Sequence, residues 1–133
     1  MIQNDDHVEE HDRNLIAQAA YAAAIRAGNG EAMLAMSEPD AVVWHNYDQV
    51  AISTERSNRA LAWLHRTVPD AYWTDVAVLP TPEGFVWRSV LTGTAPAGAL
   101  RVHSCIIVTL SGAGKVLRSD EYLDTAALAV LTR

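Results

Sequence analysis

Three residues have side chains that could act in acid–base catalysis: His45 and Asp48, which are close together in the chain, and Glu121, which is far from them. His45 follows the apolar run at residues 41–44, and Val43 shares its strand parity, so both side chains should point to the same side of a sheet. An imidazole with an ordinary pKa of about 6.5 is suited to general-base catalysis near neutral pH. The alternative is a structural histidine bonded to a backbone carbonyl. Asp48 and Glu121 are both candidates to orient the ring.

Tyr21 is the one aromatic residue in the run LIAQAAYAAAIRAG at residues 15–28. Most of its neighbours are alanines, so the phenol should extend into the space that they leave open. A phenol that donates a hydrogen bond to a developing oxyanion contributes roughly 3 kcal/mol to catalysis. The alternative is a core tyrosine with its hydroxyl at the rim of the core.

Glu121 lies in the run KVLRSDEYL, which alternates as a strand does. Alternation places Ser119 and Glu121 on one side and Arg118, Asp120 and Tyr122 on the other. Only one of these sets can face a pocket. A carboxyl group in a pocket can serve as an acid or a base, whereas the alternative is a carboxylate at the surface or at a dimer edge.

Tryptophans supply candidate walls for a flat apolar ligand, although packing in the core or in a dimer also explains each one. The four are Trp44, Trp63, Trp73 and Trp87. We assign Trp44 and Trp63 to a predicted substrate pocket.

Composition and charge exclude several classes of protein. The chain has 133 residues, of which 50% are hydrophobic, and its one cysteine, Cys105, allows neither an internal disulfide nor a thiolate zinc cluster. Residues 1–13 carry five acids and one base, and we predict a flexible acidic arm there and a single domain at 14–133. The nearly balanced remainder disfavours a nucleic-acid partner. No apolar stretch of about eighteen residues occurs, so we expect no membrane association and a cytoplasmic protein.

Short motif matches do not predict a metal or a cofactor. HVEEH at residues 7–11 has the spelling of a zinc-protease helix but lies in a polar segment without an apolar face. GAGK at residues 112–115 lacks both the spacing of a phosphate-binding loop and the Ser or Thr that follows the lysine, and it fits a hairpin turn.

Apolar spacing predicts helices first and strands afterwards. The helices run from Asn14 to Gly28, over GEAMLAMSE and over TERSNRALAWLHRTV, with a strand at AVVWHN between the last two. Beyond Pro69 the period changes to two and predicts four strands joined by Pro- or Gly-containing turns: AYWTDVAVL, GFVWRSVLTG, ALRVHSCIIVTL and KVLRSDEYL. This order indicates an α+β domain, in which helices cover one face of a strongly curved antiparallel sheet and enclose a pocket.

The other face of the sheet still carries apolar residues by alternation, and we assign Trp87 and Leu91 to it. Such a face needs a cover. A second copy of the chain is the simplest one, so we expect a homodimer through the outer sheet face.

The segments YAAAIRAGN, GAGKV and DEYLD, in this order, resemble the NTF2-like superfamily, in particular its SnoaL-like and ketosteroid-isomerase-like members, over residues 15–125. The resemblance implies a cone-shaped α+β fold with a pocket. It aligns Tyr21 with a tyrosine that donates to a dienolate oxygen, and His45 with an aspartate that abstracts a proton alpha to a carbonyl. It also places Glu121 in the pocket.

The resemblance also has departures. The protonated aspartate of the isomerases falls at Ile106, which cannot donate a hydrogen bond, so we assign Ile106 only to substrate binding. Limonene-epoxide-hydrolase-like proteins, which this sequence also resembles, use a relay of Asp, Arg and Asp. The two relay residues on the middle strand would fall near Val90 and Thr92 in this sequence, so the relay is broken. Arg88 shares their parity and is the remaining candidate for a pocket arginine.

These observations predict a cofactor-independent acid–base enzyme, of isomerase, cyclase or dehydratase type, that acts on a small apolar carbonyl compound such as a polyketide or steroid. His45 is the predicted base, Tyr21 the oxyanion donor and Glu121 a second acid or base, with Ser119 among the residues that bind substrate. Two alternatives stay open: a protein that binds a small apolar molecule without chemistry, and an epoxide hydrolase.

Overall fold

The computed structural model describes residues 2–132, and the side chains from residue 9 onward. Its helices are α1 (Ile2–Ala27), α2 (Gly30–Ala35) and α3 (Thr54–Thr67), and a 3-10 helix spans Thr125–Leu131. The strands are β1 (Ser37–His45), β2 (Ala51–Ser53), β3 (Tyr72–Thr81), β4 (Gly84–Ala95), β5 (Gly98–Leu110) and β6 (Val116–Leu123).

Local signals explain the ends of the helices. α1 ends at Gly28, whose φ of 64° lies in the left-handed region that glycine adopts without strain. The side chain of Asn29 accepts a hydrogen bond from the backbone of Ala32 at the start of α2, and the side chain of Ser53 accepts one from the backbone of Arg56 at the start of α3. The order of these helices agrees with the sequence prediction.

The predicted start of the first helix at Asn14 is wrong, because α1 begins at Ile2. The segment before Asn14 lacks apolar periodicity, but it also lacks Gly and Pro, the two residues that disfavour a helix most. Asn14 is therefore not a cap. Its buried side chain donates to the backbone oxygen of Thr81 at 2.9 Å and fastens α1 to the end of β3.

The six strands form one sheet in the order β2-β1-β6-β5-β4-β3. Neighbouring strands are antiparallel except for β1 and β6, which are parallel. Helices cover one face of this curved sheet, so the predicted α+β architecture is confirmed. The sequence pattern did not predict β2, since three residues are too few to show alternation. No helix in the described residues is both long enough and apolar enough to cross a membrane.

The face of the sheet that packs on the helices, called the inner face below, carries the core. On β4 it includes Phe85, Trp87 and Leu91, which are all buried. The assignment of Trp87 and Leu91 to the opposite face of the sheet, called the outer face below, is therefore wrong. β4 has apolar residues at both parities, including Val86 and Val90, so alternation alone did not determine which set faces inward.

Candidate active site

A cavity of about 300 Å³ lies between the inner face and the helices. Most of its lining is apolar and comes from both the helices and the sheet. The apolar residues are Ile25, Met33, Val43, Leu61, Leu64, Trp73, Leu91, Ile106, Val116, Leu123, Leu128 and Leu131. Polar groups also line it, among them Tyr21, His45, Ser119 and Glu121. The structure thus brings all three predicted catalytic side chains to one cavity.

Sheet register explains why His45 and Glu121 meet. They are the last pair of the parallel β1–β6 ladder, so their side chains leave neighbouring strands on the same face. His45 Nε2 lies 3.1 Å from Glu121 Oε1, and the two side chains are only 11% and 17% exposed. Ser104, on β5, donates its hydroxyl to Glu121 Oε2 at 2.7 Å. Glu121 is therefore the acid that orients His45, whereas Asp48 accepts a bond from the backbone of Val50.

This contact also distinguishes the two nitrogens of His45. A carboxylate only accepts hydrogen bonds, so the nitrogen that faces it, Nε2, carries the ring proton. The other nitrogen, Nδ1, is buried and has no hydrogen-bond partner among the described residues. The ring of Tyr47 stacks on the imidazole at 4.9 Å between centroids. Nδ1, the nitrogen that a general base would use, is therefore shielded, whereas the Glu121 side chain lines the cavity and is 17% exposed.

Tyr21 provides the second polar contact of the cavity. Its hydroxyl donates to Ser119 Oγ at 3.2 Å, and its ring packs edge-on against Phe85 and Trp87. Burial raises the pKa of Tyr21 above its ordinary value, and the charge of Glu121 adds to this effect, although the hydrogen bond to Ser119 opposes it. The phenol therefore stays protonated. Since Ser119 accepts from Tyr21, its own hydroxyl proton is available to a ligand.

Trp63, Ile106 and Ser119, which were predicted to bind substrate, line the cavity. Trp63 is 41% exposed, as expected of a residue at the cavity opening. Ile106 is buried and presents an apolar surface.

Two predicted substrate-binding residues lie elsewhere, and their assignment is wrong. Trp44 sits between Val43 and His45 on β1 and so points to the outer face, where its ring packs at 5.3 Å from the ring of Tyr122. Arg88 is exposed on the same outer face, because it alternates with the buried Trp87. In both cases the neighbouring residue on the strand faces inward, so alternation turns this side chain outward.

Sequence reasoning missed Ser104 and Tyr47. Ser104 had a usable signal, since it shares its parity on β5 with Ile106 and so had to face inward. Tyr47 had none, because it follows the end of β1 in a turn, where alternation no longer applies. No group of three or more His, Cys, Asp or Glu residues that could hold a metal ion is found in the part of the chain that the structure describes.

No protein-family model and no curated protein matches this sequence. Solved structures match its fold. PrhC from Penicillium brasilianum aligns with a TM-score of 0.81 and 10% identity over 92% of this chain and 87% of the other. A protein from Jannaschia, named as SnoaL-like polyketide cyclase, aligns with a TM-score of 0.78 and 15% identity over 93% of this chain and 95% of the other.

A third structure, from Catenulispora acidiphila, is described as having a ketosteroid isomerase-like fold. It aligns with a TM-score of 0.69 and 14% identity, over 80% of this chain and 83% of the other. These alignments cover most of each chain. This chain therefore has the NTF2-like fold, the fold of SnoaL-like and ketosteroid-isomerase-like proteins.

Proposed function

We propose that this protein is a SnoaL-like acid–base enzyme that removes a proton alpha to the carbonyl of a small apolar molecule and returns it without a cofactor. The observation that supports this most is the buried His45–Glu121 pair, held by Ser104 at the polar end of an apolar cavity. A carboxylate that accepts two hydrogen bonds and is largely shielded from water is held in a fixed position, from which it can accept a proton.

In this proposal we give each side chain a role that fits its position. The Glu121 carboxylate, rather than His45 as expected from the sequence, takes the proton, and the C–H electron pair becomes the enolate of the ligand. His45 and Ser104 position the carboxylate through Oε1 and Oε2. The Ser119 hydroxyl, which accepts from the Tyr21 phenol, donates to the enolate oxygen. Return of the proton to the same carbon gives exchange, and return to another carbon gives isomerisation. Ring closure before the proton returns gives cyclisation.

A second candidate function is binding of an apolar molecule without chemistry. Ile106 favours this alternative. It lies opposite Glu121 in the register of β5 and β6, and its apolar side chain cannot donate a hydrogen bond to an oxyanion. An epoxide hydrolase is not proposed, because Arg88 points away from the cavity.

Deuterium exchange tests the proposal without knowledge of the natural substrate. The probe is 2-tetralone, a flat apolar ketone with acidic alpha protons, in D2O, and the exchange rate is measured by proton NMR. We expect the wild-type protein to accelerate exchange over buffer. We expect Glu121→Gln to reduce this acceleration by about 100-fold or more, the range expected for loss of a general base.

The matched control is Asp120→Asn, since Asp120 is adjacent on β6 but faces outward and should not affect exchange. Binding is followed separately with 2-naphthol fluorescence. Binding of 2-naphthol without accelerated exchange in the wild-type protein would favour the non-catalytic alternative. Equal loss of exchange in the two variants would contradict the assigned role of Glu121.

A further inference from the structure

The cavity has a second polar wall, which the proposed reaction does not use. Thr54 and Ser57 lie on α3, and both line the cavity. Leu61 and Leu64 line it as well, and the spacing of these four residues places them on one face of the helix. The cavity-facing side of α3 is therefore polar near its start and apolar beyond it.

The hydroxyls of Thr54 and Ser57 are available to a ligand. In the part of the chain that the structure describes, the side-chain hydrogen bonds of α3 and its cap involve Ser53, Asn58 and His65, and none involves Thr54 or Ser57. Thr54 is only 6% exposed, so the open space beside it is that of the cavity. A hydroxyl that is shielded from water and has no partner costs free energy, which a hydrogen bond from a ligand offsets.

Two other polar side chains of the cavity are already engaged by the fold. Ser37 donates its hydroxyl to the backbone oxygen of Met33 at 2.7 Å, and the amide nitrogen of Asn58 donates to the backbone oxygen of Gly30 at 3.0 Å. These bonds connect α2 to the start of β1 and to α3. The two free hydroxyls of α3 make no such connection, which favours a role in binding.

The two polar sets of the cavity lie on different walls. Ser119 and Glu121 belong to β6 in the sheet, whereas Thr54 and Ser57 belong to α3. A ligand whose carbonyl lies at Ser119 therefore meets α3 with a different part of its structure. A cavity of about 300 Å³ is at the small end of the range for ligand pockets, so a compact ligand with about two fused rings can contact both walls.

The lining also restricts the charge of the ligand. Neither Lys nor Arg is among the described residues that line the cavity, and Glu121 is the one acidic residue among them. A carboxylate or phosphate on the ligand would be repelled by Glu121 and would lose its hydration without gaining a cationic partner. A hydroxyl or a carbonyl can be accommodated, since the hydroxyls of Ser and Thr both donate and accept hydrogen bonds.

We propose that Thr54 and Ser57 determine which ligand the cavity takes: a neutral carbonyl compound with a second group, a hydroxyl or another carbonyl, that binds to these two hydroxyls. The position of the first carbonyl at Ser119 and Glu121 rests on the proposed function. Binding of the second group does not require turnover, so it is measured independently of the reaction.

Fluorescence titration with two naphthols tests the role of α3. 2-Naphthol has one hydroxyl, and 2,6-dihydroxynaphthalene has a second one at the opposite end of the same skeleton. We expect the wild-type protein to bind the diol more tightly than 2-naphthol. The double variant Thr54→Val/Ser57→Ala should reduce this preference about fivefold, the change that one net hydrogen bond produces, with little change in the affinity for 2-naphthol.

Two further variants complete this experiment. Ser57→Ala alone replaces a helix residue by the one with the highest helix propensity, so it keeps the fold and should reduce the preference in the same direction. The matched control is Ser37→Ala, which removes a cavity hydroxyl that is already bound to Met33 and should leave the preference unchanged.

A matched ester and acid test the charge of the ligand. We expect methyl 6-hydroxy-2-naphthoate to bind, and 6-hydroxy-2-naphthoate to bind at least about tenfold more weakly, because its carboxylate loses water without a cationic partner. Equal affinity for the two compounds would overturn the proposed neutrality of the ligand.

The remaining outcomes separate this inference from the proposed reaction. A preference for the diol that persists in both α3 variants, or that Ser37→Ala reduces equally, would overturn the role of Thr54 and Ser57, as would failure of every probe to bind. Accelerated exchange of 2-tetralone without a preference for the diol would overturn this inference alone. A preference for the diol without accelerated exchange would contradict only the proposed reaction.

Discussion

The two faces of β6 differ in what surrounds similar side chains. On the inner face, Glu121 is held by His45 and Ser104 within an apolar cavity. On the outer face, Asp120, the next residue back in the chain, pairs with Arg118 at 3.0 Å, where the arginine is 43% exposed. Both are carboxylates with a nitrogen partner. The surroundings of each face, rather than the residue type, therefore set apart the carboxylate inside the cavity from the one at the surface.

Aromatic residues show the same contrast. Trp87, on the inner face, is completely buried and donates its ring N–H to Asp75 at 2.7 Å. Trp44, on the outer face, is partly exposed and contacts Tyr122. The first belongs to the core, and the second to a partly exposed surface. Substitutions in matched pairs therefore measure the energetic difference between the faces.

The largest expected effect on stability is that of Trp87→Ala. Loss of a fully buried tryptophan leaves a cavity, so the free energy of unfolding should fall by about 3–5 kcal/mol. Trp44→Ala should cost less than about 2 kcal/mol, because its side chain keeps part of its contact with water. Both are measured by urea denaturation at several protein concentrations, which reveals any contribution of association. Equal losses would remove the distinction between the faces.

Alkaline pH distinguishes the buried phenol from the exposed ones. The folded state raises the pKa of Tyr21, so above the ordinary tyrosine pKa of 10.0 the unfolded chain releases this proton while the folded protein retains it. The free energy of unfolding should therefore fall as the pH rises beyond that value. Tyr21→Phe should make the fall shallower, as measured by denaturation at a series of pH values. Tyr122→Phe, which removes an exposed phenol, is the control, and an equal change in both variants would contradict this account.

The smallest expected effect is that of the outer ion pair. Arg118→Ala removes the contact with Asp120, but exposed pairs of this kind contribute only about 0–1 kcal/mol to stability. The free energy of unfolding, again measured by urea denaturation, should change by less than about 1 kcal/mol. A larger loss would show that the outer face screens its charges from water more than the exposure of Arg118 indicates.

Much of the fold follows from local patterns. Helical spacing, the glycine at position 28 and the change of period after Pro69 predicted the three helices and the long strands. They predicted neither the start of α1 nor the short β2, because an uninterrupted polar helix and a three-residue strand carry no periodic signal. Alternation correctly grouped Ser119 with Glu121, since both depend only on the two-residue repeat of one strand.

Alternation along a strand is a local property of the backbone, so the chain's residue pattern alone shows which residues share a face. Which face is the inner one depends on tertiary packing, and this packing places Trp87 and Leu91 inward and Arg88 and Trp44 outward. It alone paired His45 with Glu121, because a parallel β1–β6 ladder joins segments that are 76 positions apart. Contacts of this kind depend on strand order and on which surface the helices bury, and these are properties of the whole packed chain.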